Sequence, residues 1–111
     1  GVGATVNLPF ALGVSRDRYL SEFARKLEEF ADRMRPELVL ISAGFDAHRS
    51  DPVGSLGLEV EDFAYLTAAV CDVAATHAGG RVISVLEGGY NPPVLAECVA
   101  THLETLREYA P

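Results

Sequence analysis

The sequence predicts an α/β fold, a parallel sheet with flanking helices, and three observations carry that expectation. Strand-like and helix-like patterns alternate along the chain, which is the order that builds parallel sheets. Two short segments, Leu38 to Ile41 and Val82 to Leu86, are almost wholly apolar, as strands covered on both faces are. Each runs into a glycine-containing loop, where the chain turns before the next helix. With no internal repeat and no linker-like stretch, residues 1–111 read as a single α/β unit.

In chain order, Thr5 to Leu8 alternates weakly and is stopped by Pro9, giving a short first strand, and Phe10 to Val14 reads as connecting loop. From Asp17 to Arg35 the apolar positions Leu20, Phe23, Leu27, Phe30, Ala31 and Met34 fall on one face of a helix. Ser15 is placed to cap that helix and Pro36 closes it. Leu38, Val39, Leu40 and Ile41 form the next strand, expected to be central. Phe63, Leu66, Val70, Val73 and His77 mark a second helix, ended by Gly79 and Gly80, which accept the left-handed backbone that other residues resist. Val82, Ile83, Val85 and Leu86 make the third strand. Asn91 and Pro92 suit the cap and first turn of a last helix, whose buried face carries Leu95, Val99, Leu103 and Leu106.

Composition narrows the function classes. A net charge of −7 repels a phosphate backbone, and the arginines are scattered among acids, so nucleic acid is not an expected partner. No apolar run approaches the roughly 20 residues that cross a bilayer, and the first residues lack a basic segment followed by a hydrophobic one. A soluble, cytoplasmic protein without membrane contact is expected. Cys71 and Cys98 sit inside helical apolar patterns, as small buried thiols do, and suit a reducing compartment.

Ligands of open parallel sheets bind outside the carboxyl ends of the strands. Two loops occupy that place: Ser42 to Gly54, longer than a plain connection needs, and Glu87-Gly88-Gly89-Tyr90. By spacing alone Asp46 reads more readily as a loop-bracing aspartate than as a metal ligand, since no second ligand stands beside it. Tyr90 reads equally as a half-buried ring with a backbone partner. Cys98 and His102, four apart, share a helix face, but a buried cysteine beside an exposed histidine is the commoner situation than a metal pair. A receiver-type phospho-acceptor role for Asp46 fails because Lys26, in the first helix, is the only lysine. A dinucleotide site fails because Gly88-Gly89 lacks the further spaced glycine.

The blocks Leu40-Ile41-Ser42-Ala43-Gly44-Phe45-Asp46-Ala47-His48, Asp51-Pro52-Val53-Gly54 and Leu86-Glu87-Gly88-Gly89-Tyr90-Asn91, in this order and at this separation, resemble the C-terminal part of class II-type histone deacetylases and acetylpolyamine amidohydrolases. The similarity runs from about Asn7 to Leu106. It implies part of the arginase/deacetylase-like three-layer α/β/α fold and a zinc-dependent removal of acyl groups from amines. In that resemblance Asp46 is one carboxylate ligand of the catalytic zinc and Tyr90 donates to the substrate carbonyl oxygen. Pro52, Val53, Gly88 and Gly89 line the acyl channel, with Val53 standing where the family usually has leucine. His48 is expected to pack in the loop or at the channel rim.

The resemblance also marks what these residues lack. The family's Asp-x-His ligands and His-His pair have no counterpart here, and His48, His77 and His102 are not placed to replace them. The 111 residues alone are therefore expected to hold no catalytic zinc and to be inactive. In the complete enzyme an acylated amine is the expected partner. A non-catalytic module that self-associates through an exposed sheet edge or apolar helix faces, as a homo-oligomer, is the alternative.

Overall fold

A computed structural model describes residues 2–110. Its elements follow in the order α1 (Arg16–Met34), β1 (Val39–Ala43), α2 (Val60–His77), β2 (Val82–Leu86) and α3 (Pro92–Glu108). β1 and β2 pair in parallel, Val39 opposite Val82 and Ala43 opposite Leu86. None of the helices is long and apolar enough to cross a membrane.

Local chemistry sets the helix ends. Ser15 caps α1, its hydroxyl accepting the Arg18 N–H at 3.2 Å, and Arg35 closes the helix in a left-handed conformation before Pro36. α2 begins with a reciprocal cap: Asp62 accepts the Glu59 N–H, and the Glu59 side chain accepts in return from the third residue of the helix. Arg16 reaches across from α1 to the same Asp62 carboxylate at 2.7 Å, tying the two helix starts together. Gly79 and Gly80 both take positive φ after α2, as their placement predicts. Asn91 stands at the cap position of α3, but its side chain makes no cap hydrogen bond. It donates instead to the Ser50 carbonyl, so Pro92 in the first turn carries the helix start without it.

The helices pack against the sheet face that carries Ile41, Ala43 and Ser84. Phe45, Leu58, Phe63 and Cys98 are buried with Ala43 at the centre, and Tyr19, Leu66, Leu95 and Val99 close around them. Two expectations are corrected here. Thr5 to Leu8 forms no strand: among the described residues the sheet has two strands, and the segment finds no ladder partner for its backbone groups. The apolar runs are also not covered on both faces. Leu40 is 69% exposed and Ile83 52%, because alternate residues of each strand point away from the single helical layer. The result is a two-layer part of an α/β fold, with a row of aliphatic side chains on the outer face of the sheet.

Candidate functional site

At the carboxyl ends of the strands the ladder continues into both loops. The Glu87 N–H donates to the Ala43 carbonyl at 2.9 Å, and the Phe45 N–H donates to the Gly88 carbonyl at 2.8 Å. The loop after β1 and the loop after β2 are therefore neighbours, as their position in a parallel sheet requires. Further links follow. The Tyr90 N–H donates to Asp51 at 2.8 Å, and the Asn91 amide to the Ser50 carbonyl at 3.0 Å.

Asp46 lies in the seam between these loops. A side-chain carbon placed on Gly88 would stand 3.0 Å from the Asp46 carboxyl carbon and within 3.3 Å of both its oxygens. One placed on Gly54 would collide with the Asp46 backbone carbonyl. Glycine at both positions is thus what leaves room for this aspartate. The carboxylates of Asp51 and Asp62 are taken up by backbone and arginine donors. Among the described residues the Asp46 carboxylate has no such donor, so its oxygens remain available to a ligand. Its charge is felt on α1, where burial and then Asp46 raise the Tyr19 hydroxyl above the usual phenol range.

Tyr90 follows Gly89, whose φ of 139° belongs to glycine, and presents a ring that is 55% exposed. Pro52 and Val53 form an exposed tip on the first loop, with Val53 70% exposed. Gly88 and Gly89 are partly buried. The structure thus brings Asp46 against Gly88, and Asp51 against Tyr90, in one neighbourhood. His48 is buried, its Nδ1 accepting the Ser50 N–H at 3.0 Å, which is the loop-packing role its position predicts. His77, at the end of α2, pairs with Asp32 of α1 at 3.2 Å.

The donor set on this chain is one carboxylate. Among the described residues no three histidine, cysteine, aspartate or glutamate side chains gather as a metal site. A catalytic zinc needs three protein ligands, and the Asp46 carboxylate has the chemistry of one of them.

The model of the histone deacetylase domain matches residues 1–106. The chain belongs to the histone deacetylase family. It is 36% identical over 106 residues to a histone deacetylase-like amidohydrolase of Pseudomonas aeruginosa, covering 96% of this chain and 28% of that protein. It is 44% identical over 107 residues to the polyamine deacetylase HDAC10 of Homo sapiens, covering 96% of this chain and 15% of that protein. The crystal structure of the HDA15 HD domain superposes with a TM-score of 0.84 at 31% identity, covering 98% of this chain and 30% of the other. The chain thus spans less than a third of the length of these relatives, and its two-layer arrangement is part of the deacetylase fold.

Two polar residues of this deacetylase segment escaped the sequence reading. Asp51 belongs to a recognisable turn, yet its partner in the other loop lies 39 positions away. His102 was expected to be exposed beside buried Cys98; it is only 6% exposed. Its Nδ1 bonds the Thr67 hydroxyl at 2.7 Å and its Nε2 the Ser84 hydroxyl at 2.8 Å. Both ring nitrogens are occupied, which removes the Cys98–His102 metal pair. The ring also meets Phe45, the residue before Asp46, edge-on at 5.5 Å between centroids.

Proposed function

We propose that this chain supplies part of the active site of a zinc-dependent amidohydrolase that removes acyl groups from amines, acetyl-lysine in proteins or acetylated polyamines. The supporting observation is the packing of the Asp46 carboxylate on Gly88, two residues before Tyr90, with no competing donor on its oxygens. In this reading Asp46 is one zinc ligand, the others coming from outside these residues. Zinc, when bound, polarises the amide carbonyl and lowers the pKa of its water. Tyr90 donates its hydroxyl to the carbonyl oxygen as negative charge grows there, so it favours the transition state over the substrate. Pro52 and Val53 rim the acyl channel, and Gly88 and Gly89 keep its wall free of side chains. With one ligand of three, the 111 residues alone neither hold the metal nor hydrolyse amides.

The full protein that carries this chain tests this. It should deacetylate an acetyl-lysine peptide or an N-acetylated polyamine, lose activity with Asp46→Ala, and lose about 10²- to 10³-fold in kcat with Tyr90→Phe. Zinc-dependent activity in the isolated 111 residues, or full activity of either variant, overturns the reading.

The exposed aliphatic row of Leu40, Ile83 and Val85 favours a second reading, a non-catalytic module that self-associates through this sheet. A molecular mass that stays monomeric across a dilution series in sedimentation would retire it.

A further inference from the structure

Asp51 is an aspartate whose side-chain hydrogen bonds all go to backbone. Its Oδ1 accepts the N–H groups of Val53 at 2.8 Å and Gly54 at 3.0 Å, which closes the turn through Pro52. Its Oδ2 accepts the N–H of Tyr90 at 2.8 Å. Three donors converge on one nearly buried side chain, and only a carboxylate offers acceptor oxygens on both sides with no hydrogen to place between them. Burial by itself would raise the pKa of this group; the hydrogen bonds from Gly54, Tyr90 and Val53 outweigh it and hold the carboxyl below its ordinary value.

We infer that Asp51 is a positioning residue for Tyr90, fixing the tyrosine loop to the loop that carries Asp46 through the Tyr90 backbone N–H. The inference rests on the reading of Tyr90 given above. The need for an anchor follows from Gly89. At φ 139° this residue has the widest backbone freedom of any type, so local preference does not fix the direction in which Tyr90 leaves it. A hydrogen bond on the next N–H does. The Asn91 amide on the Ser50 carbonyl is a second tie one residue further on. Loss of the Asp51 bond therefore leaves the loop attached but free to pivot about Asn91, and a small rotation of the backbone is magnified at the far end of the phenol ring. Donors of this kind work only when held close to the developing charge, and misplacement by about 1 Å costs on the order of 10²-fold in rate.

Asp51→Asn is the direct test, because it keeps the shape of the side chain and turns one acceptor into a donor facing another donor. In the full protein, kcat should fall about 10- to 100-fold while KM changes less than about 3-fold. In the Tyr90→Phe background the same substitution should have little further effect, since the hydroxyl it orients is already gone. Multiplicative losses in the double variant overturn the inference, because a merely structural aspartate would act independently of the hydroxyl. A Tyr90→Phe variant as active as the unsubstituted protein would instead overturn the reading of Tyr90 itself. Amide hydrogen exchange on the unsubstituted chain provides a readout without activity or substitution. The Tyr90 N–H should be protected although its ring is exposed, and exchange as fast as in an open loop overturns the inference.

Discussion

Acid should loosen this fold through His102 before any carboxylate is protonated. The Thr67 hydroxyl donates to the Phe63 carbonyl at 2.6 Å, so its oxygen must accept from His102 Nδ1–H. His102 Nε2 is then the acceptor for the Ser84 hydroxyl at 2.8 Å. This arrangement uses a neutral ring. Burial lowers the pKa of His102 from its ordinary 6.5, and no carboxylate adjoins it to favour the cation. The unfolded chain therefore binds the proton more readily than the folded one. The contribution of this group is fully present above pH 6.5 and is lost as pH falls from there towards the folded-state value. The steepest slope for one such group is about 1.4 kcal/mol per pH unit. His102→Phe keeps a ring against Phe45 but gives up two hydrogen bonds of about 1 kcal/mol each, so it should destabilise by about 2 kcal/mol at pH 7.5. For a chain of this size that is roughly 10 °C in midpoint. Chemical denaturation followed by circular dichroism from pH 7.5 to 5 checks both parts. The unsubstituted chain should lose stability across this range and His102→Phe should be much flatter. Equal slopes in the two proteins, or no loss of stability in the substituted one at pH 7.5, would refute the reasoning.

Other substitutions read different parts of the structure. Gly88→Ala puts a methyl 3.0–3.3 Å from the Asp46 carboxylate atoms without backbone strain, so it should leave the melting temperature nearly unchanged. In the full protein it should weaken zinc about 10- to 100-fold in chelator competition. Gly89→Ala should behave oppositely and lower the melting temperature, because it meets both a φ of 139° and the Leu95 side chain. Leu58→Ala empties a fully buried position and should cost about 2–5 kcal/mol in urea denaturation. Cys98, with its thiol pushed up to about 11 first by burial and then by the Glu97 charge, should resist alkylation at pH 8 until the chain is unfolded, and so should Cys71.

The sequence made the local chemistry legible. Ser15, Gly79 and Gly80 act where their residue types predict, because a cap or a left-handed turn depends on a few neighbouring backbone groups. The two strands after Pro36 and Gly80 were also legible, since short apolar runs between helical patterns have few other readings. Exposure of Leu40 and Ile83 was not: a run of apolar residues says that the strand suits cover on both faces, not which layers this stretch of chain supplies. Thr5 to Leu8 failed as a strand for a related reason, since a strand exists only with a partner. At the site, Asp46 and Tyr90 were marked by the blocks around them. Asp51 and His102 were missed because their deciding partners, Tyr90, Thr67 and Ser84, lie 18 to 39 positions away.

A pattern of hydrogen bonding distinguishes Asp46 from the buried polar residues of this chain. No buried side-chain nitrogen or oxygen among the described residues lacks a hydrogen-bond partner. Asp51 is filled by three backbone donors, Asp62 by Arg16 and Glu59, His48 by Ser50, and His102 by two hydroxyls. These residues explain themselves by folding, because a buried polar group without a partner costs stability. Asp46 differs: it is partly buried beside Gly88 and Gly54, and among the described residues its carboxylate has no hydrogen-bond donor. Gly88 leaves room for its carboxylate, and Gly54 for its backbone carbonyl, which accepts the Ser55 N–H at 2.7 Å. Asp51 and Asp62 therefore brace the fold through their carboxylates, whereas the Asp46 carboxylate stands open at the seam between the two loops, where the proposed function uses it.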